Sequence, residues 1–290
     1  MPIVSLPIDN PPASRSSETD EAAFAAACLV AAPLLGPDSV AQPGIPKGTL
    51  TTFRHVGVSA FPGVARDCWL YVPAQYKPAE PAHLMVFQDA RFYLADDFNA
   101  PAVFDNLIAR GEMPVTIGLF VEPGDLPGEA PNSRGNRSFE YDSVTDAYSR
   151  LLHDELLPIV ERDYAISKNP DHRASTGMSS GGICAFNLAW ERPDSFRRVV
   201  SHVGSFTNIR GGNAYPSLVR KTEPKPIRAF LQGAAHDLDN PNGSWSIANF
   251  DMAASLRFKG YDHRFEFGQG AHDRKHGAAI FPETMRWLWR

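Results

Sequence analysis

The chain has 290 residues, 43% of them hydrophobic and 21% charged, which is enough apolar material to bury a large core in one catalytic domain. Its formal net charge of −5, with no long basic run, argues against a nucleic acid or an anionic membrane as the main partner. Cys28, Cys68 and Cys184 are far apart and lack C-x-x-C spacing, so neither a zinc knuckle nor a disulfide framework is indicated; they are expected to serve as small apolar residues.

Residues 2–17 are rich in proline and serine and read as an extended or disordered lead-in. Residues 22–35 are apolar, but Glu18, Asp20 and Glu21 stand where an export signal wants basic residues, and Pro33 interrupts a run too short to span a bilayer. A surface helix or packing arm is expected there, with a cytoplasmic location favoured. Residues 1–43 are thus read as an extension and 44–290 as the catalytic domain.

Two β-rich runs, 50–58 and 67–72, flank the turn Phe61-Pro62-Gly63 and predict an antiparallel hairpin. Buried strands follow at 84–87 and 115–121, with a helix over 101–110 between them on the spacing of Val103, Leu107 and Ile108. The spacing of Leu151, Leu152, Leu156, Leu157 and Val160 predicts a long helix over 142–162, capped by Asp142 or Ser143 and kinked in its last turn by Pro158. A helix over 182–190 ends at Pro193; strands follow at 199–203, 227–231 and 264–267, with a helix over 246–258 closed by Gly260. Strands alternating with helices after an N-terminal hairpin predict a three-layer α/β sandwich around a mainly parallel sheet.

Within that order, Gly177-Met178-Ser179-Ser180-Gly181 falls at a strand-to-helix turn. A G-x-S-x-G elbow holds its serine on a strained turn and offers the next residue's N–H to an oxyanion, so Ser179 is the candidate nucleophile and Ser180 a candidate donor. A serine hydroxyl needs a base, and the base an orienting carboxylate. Among nine histidines, His272 is preferred because it sits in a glycine-flanked loop directly after the last predicted strand; His172 and His202 lie close to the sheet. His276, four residues on, is a competitor or a substrate-facing residue. The pair also has zinc-ligand spacing, but Gly270 and Gly277 disfavour a helix there and no third ligand is evident. Asp237 is the preferred acid, with Asp239 as its alternative. The second oxyanion donor is expected from the amides of Ala90 or Arg91, after the strand 84–87. Phe92, Tyr93, Phe206 and Trp245 are expected near the carboxyl edge of the sheet, where apolar pockets form.

The stretches VPAQY (72–76), VFQDA (86–90), GMSSGG (177–182), SHVGSF (201–206) and GAHD (270–273) resemble the enterochelin-esterase-like, esterase D type branch of the α/β-hydrolases, over about 44–290. The resemblance implies a serine esterase acting on siderophore esters, feruloyl or acetyl groups on carbohydrates, or similar carboxylic esters, with no metal or organic cofactor. It matches Gly270-Ala271-His272 to the family's G-G-H and points to Asp237. It also draws attention to Arg137 and Glu140, whose Arg-x-x-Glu spacing fits either a structural ion pair or a substrate-side role; Trp245, His276 and Asp239 are the other candidate substrate contacts. The expected partner is a small-molecule or carbohydrate-linked ester, not a nucleic acid or a membrane, and a homo-oligomer is open. Many relatives are exported, which sets the resemblance against the cytoplasmic reading. Amide or lactone cleavage, or acyl transfer, would use the same three residues; a non-catalytic binding module is the alternative of a different class.

Overall fold

The computed structural model describes residues 35–128 and 134–290. Most of the N-terminal extension, including Cys28, lies outside the described residues. In chain order the strands are β1 (Thr49–Val56), β2 (Ala65–Val72), β3 (His83–Gln88), β4 (Thr116–Val121), β5 (Arg173–Met178), β6 (Arg198–His202), β7 (Arg228–His236), a two-residue hairpin of β8 (Asp239–Asn240) and β9 (Gly243–Ser244), and β10 (Asp262–Ala271). Eight of them form one sheet in the order β1-β2-β4-β3-β5-β6-β7-β10. β1 and β2 are the antiparallel pair that the turn signal predicts, β2 runs antiparallel to β4, and every pairing from β4 to β10 is parallel.

The helices are α1 (Ala90–Leu94), α2 (Ala100–Ala109), α3 (Arg134–Tyr141), α4 (residues 147–163), α5 (Ser180–Glu191), α6 (Tyr215–Lys221), α7 (Trp245–Phe258) and α8 (Lys275–Trp289). Alternation along the central strands sends side chains into two apolar layers. Leu84 and Val86 pack with α4, α5, α6 and α7, whereas Met85 and Phe87 pack with α2 and α8. Both faces of β3 and β4 are therefore covered, which is why these strands read as continuous apolar runs.

Three departures from the predicted elements have physical causes. The long helix starts at Ala147 rather than 142, because Ser143 turns back to bond the Phe139 carbonyl at 2.6 Å and the Thr145 carbonyl is taken by Asn187 Nδ2 at 2.7 Å. Neither Asp142 nor Ser143 caps α4. The helix then widens into a π-helical stretch over Leu151–Leu156, ahead of Pro158, so the irregularity lies in its middle. This turn carries Glu155, which accepts the amides of Val58, Ser59 and Ala60 at 2.9–3.0 Å and pins the β1–β2 turn.

The third departure is α8, which Gly277 and Pro282 conceal in the sequence. Gly277 suits the close approach of the helix to the sheet: a Cβ there would stand 3.0 Å from the His202 ring, which α8 covers, and would press on it. Phe281, Met285 and Leu288 bury the helix against the sheet, with Phe281 touching the rings of Phe87, Tyr93, Phe98 and Phe104. No described helix is long and apolar enough to cross a membrane. The thiols of Cys68 and Cys184 are buried; burial pushes Cys68 up to about 12 and Cys184 well above its ordinary value, which keeps both protonated.

Candidate active site

β5 delivers Ser179 to the carboxyl edge of the sheet, and α5 begins at the next residue. Ser179 has φ 58 and ψ −119, in the left-handed half of backbone space that side chains other than glycine rarely adopt. The turn closes only because Gly177 has no side chain, since a Cβ there would fall 2.1 Å from the Gly181 carbonyl oxygen. Two backbone bonds fix it. The Ser179 N–H donates to the His202 carbonyl at 2.9 Å, and the Ser179 carbonyl accepts the Ser205 N–H at 3.0 Å. Between those anchors Val203 is also left-handed, with φ 41, and its N–H donates to the Gln232 carbonyl at 2.7 Å.

The loop after β10 brings His272 over the serine. His272 Nε2 lies 2.8 Å from Ser179 Oγ, and Nδ1 lies 2.5 Å from Asp237 Oδ1. The side chain of Asp237, in the loop after β7, is fully shielded, while that of His272 keeps 20% of its exposure. Oδ1 of Asp237 also accepts the Leu238 N–H at 2.7 Å. Asp239 does not share this position: it is exposed and pairs with Ser244 in the β8–β9 hairpin.

Several expected substrate contacts have other partners. Trp245 is only 2% exposed; its Nε1–H donates to Ser205 Oγ at 3.0 Å and its ring stands edge-on to His272. It is therefore a wall behind the histidine rather than a surface for substrate. Ser205, which lies in the SHVGSF stretch but to which the sequence assigns no role, places its Oγ 3.2 Å from Ser179 Oγ. His276 lies on α8, and Gln232 Nε2 donates to its Nδ1 at 3.2 Å. Burial lowers the His276 pKa, partly offset by Glu266 and Asp273. His272 precedes the helix, so the two histidines do not share a helical face; no group of three or more metal-ligating side chains occurs among the described residues.

Glu140 is likewise not a substrate contact. It is buried in an ion pair with Arg66, both side chains completely shielded, at 2.7 Å. Arg137 has a different partner: its Nε and Nη2 donate to the two oxygens of Asp89 at 2.6 and 2.7 Å, and Nη2 also reaches the Met178 carbonyl at 3.2 Å. Burial alone would weaken this guanidinium's charge, but Asp89 outweighs it and raises the pKa. The 137/140 pattern thus encodes two separate structural pairs. One of them ties the turn after β3 to the residue before Ser179.

That turn carries the expected second oxyanion donor. Asp89 is left-handed at φ 59, and Ala90 begins α1 as Ser180 begins α5, positions whose N–H has no partner inside its own helix. The Arg91 amide is already committed, donating to Glu122 Oε1 at 2.7 Å, so it is removed from the candidate donors. Burial raises the Glu122 pKa, and the Arg91 bond counters this. Of the expected aromatics, Phe92 is partly exposed, whereas Tyr93 and Phe206 are core residues. The Tyr93 hydroxyl bonds His202 Nδ1 at 2.9 Å, and burial drives the His202 pKa down to about 3, leaving a neutral ring under the elbow. His172 stacks on His83 at the far end of the strands.

Comparison with known proteins agrees with this architecture. The Esterase family model matches residues 59–285. Over 142 residues the chain is 29% identical to the iron(III) enterobactin esterase of Dickeya dadantii, covering 49% of this chain and 30% of that protein. Over 165 residues it is 24% identical to the endo-1,4-beta-xylanase/feruloyl esterase of Xylanibacter ruminicola, covering 56% of this chain and 20% of that one. The chain therefore spans less than a third of the length of these curated relatives. Among solved structures, the enterobactin esterase of Shigella flexneri superposes with a TM-score of 0.69 at 20% identity, covering 89% of this chain and 62% of that one, a likeness of fold.

Proposed function

The chain belongs to the Esterase family, with the α/β-hydrolase fold, and from that premise we propose that it hydrolyses a carboxylic ester through an acyl-enzyme formed on Ser179. The observation that carries this reading is the unbroken hydrogen-bonded path from Ser179 Oγ through both nitrogens of His272 to Asp237. We assign this chemistry to residues 44–290.

His272 Nε2 takes the hydroxyl proton as Ser179 Oγ attacks the ester carbonyl carbon. Asp237 holds the Nδ1–H, fixing the tautomer and stabilising the imidazolium that forms. The carbonyl oxygen becomes an oxyanion facing the amides of Ser180 and Ala90, each worth on the order of 3 kcal/mol to the transition state. Collapse expels the alcohol, protonated by His272, and leaves an acyl ester on Ser179. Water then gives a proton to His272 and attacks the acyl carbon; the carboxylic acid departs and Ser179 regains its proton. Side chains, amides and water suffice for every step.

Feruloyl esters on carbohydrate and siderophore esters are the substrate classes that the relatives' names suggest. Ser179→Ala is expected to lower turnover of a nitrophenyl ester at least about 10⁴-fold and to abolish labelling by a fluorophosphonate. A variant that keeps most of its activity would refute the mechanism.

A further inference from the structure

The sheet ends at β10, whose outer side has no neighbouring strand among the described residues. A free edge leaves alternate N–H and C=O groups unpaired, and monomers commonly blunt such edges with proline, charged side chains (lysine above all) or a bulge. Residues 262–268 contain no proline and hold regular register with β7, the irregularity coming only after Gly268; their charges, Asp262, Arg264 and Glu266, are of both signs, so they do not repel every partner strand.

Both faces of this edge are also unfinished. On the α7 side, Phe265 and Phe267 meet the Phe250 ring at 5.1 and 4.4 Å between centroids, yet Phe250 is 50% exposed and Ile247 on the same helix 70%. On the α8 side, Arg264 contacts Glu266 at 2.7 Å and Glu283 at 3.4 Å, all in partly exposed positions.

The charge pattern selects the occupant. We propose that β10 pairs antiparallel with β10 of a second copy of this chain, about a twofold axis through Phe265, extending the two sheets into one. In that register Arg264 stands opposite Glu266 of the second copy, and Glu266 opposite its Arg264. Phe265 meets Phe265, and His263 meets Phe267. Directly opposed residues bring their Cβ atoms to about 5 Å, close enough for both ion pairs and for the ring contact. Neighbouring registers fail: an axis at Arg264 opposes Asp262 to Glu266 and Arg264 to itself, and an axis at Glu266 opposes that carboxylate to its own copy. The other edge, β1, lacks this self-complementarity, because it carries no carboxylate to stand opposite its Arg54.

Sedimentation equilibrium of the full chain is expected to give twice the chain mass. Glu266→Arg and Arg264→Glu should each raise the dimer dissociation constant about tenfold or more, and the double variant Arg264→Glu/Glu266→Arg should restore it, since opposed charges are regained. Hydrogen exchange on the unmutated chain gives a readout independent of how the variants fold: amides of 263–267 should slow with rising concentration while those of 49–56 do not. A monomer at the highest soluble concentration would overturn the proposal. So would protection elsewhere, failure of the double variant to recover, or a dimer that forms only after deletion of residues 1–34, which would make the chain's own N-terminal segment the occupant.

Discussion

The two ends of the parallel strands are built on opposite principles. At the carboxyl ends stand three of the four described non-glycine residues with left-handed backbone, Asp89, Ser179 and Val203, together with the unspent amides that begin α1 and α5. At the amino ends the strands open on His83, Arg173, Arg198 and Arg228, and the charges are used up internally: Arg173 on Glu161 at 2.9 Å, Arg228 on Asp262 at 2.6 Å, Arg198 on the Asp171 carbonyl at 2.5 Å. The same sheet is relaxed where it only has to hold together and strained at the turns that carry the residues proposed to react.

The sharpest way to break this contrast is at the two neighbouring carboxylates after β7. Asp237→Asn should lower kcat by about 10³- to 10⁴-fold by favouring the wrong His272 tautomer, while Asp239→Asn should stay within about twofold. Equal losses in the two variants, measured by steady-state kinetics, would erase the distinction. A smaller effect is expected one layer back. Arg137→Ala leaves Asp89 without its cation and frees the turn that carries Ala90, so kcat should fall about 10²-fold with KM little changed, and Arg137→Lys should recover part of the rate. A KM rise at constant kcat would instead place Arg137 against the substrate.

The smallest effect belongs to the amino end and touches stability alone. Burial, the stacked His172 and the nearby Arg198 lower the His83 pKa to about 4, so the folded ring stays neutral where the unfolded one, near 6.5, takes up a proton. The unfolded state then binds more protons, and stability that is complete above pH 6.5 is lost as the pH falls towards 4. His83→Gln should flatten that slope by on the order of 2 kcal/mol in urea unfolding between pH 7 and 4, with neutral-pH turnover unchanged. An unaltered slope would exclude His83 as the group responsible.

The parts of the fold legible in the sequence are those encoded locally. Buried strands appear as apolar runs, the β1–β2 turn as Phe61-Pro62-Gly63, and the elbow as glycines around Ser179. What escaped depends on partners distant along the chain. Gly277 reads as a helix breaker until the His202 ring is seen beneath it, and the α3–α4 break depends on Asn187 reaching back to Thr145. Arg137 and Glu140 looked like one pair because they are three residues apart, whereas their partners, Asp89 and Arg66, lie 48 and 74 residues away. Arg91 could not be dismissed as a donor before Glu122 was known to hold its amide.

Val203 makes the turn after β6 a place where the fold holds backbone strain. A β-branched residue in left-handed backbone costs about 1–3 kcal/mol of folding free energy, and the fold tolerates it while the same turn carries Ser205 to the hydroxyl of Ser179. Glycine at this position would relieve the strain and loosen the turn together. The strained valine thus fixes the position of Ser205, and with it the surroundings of the Ser179 hydroxyl, at a cost borne by the fold.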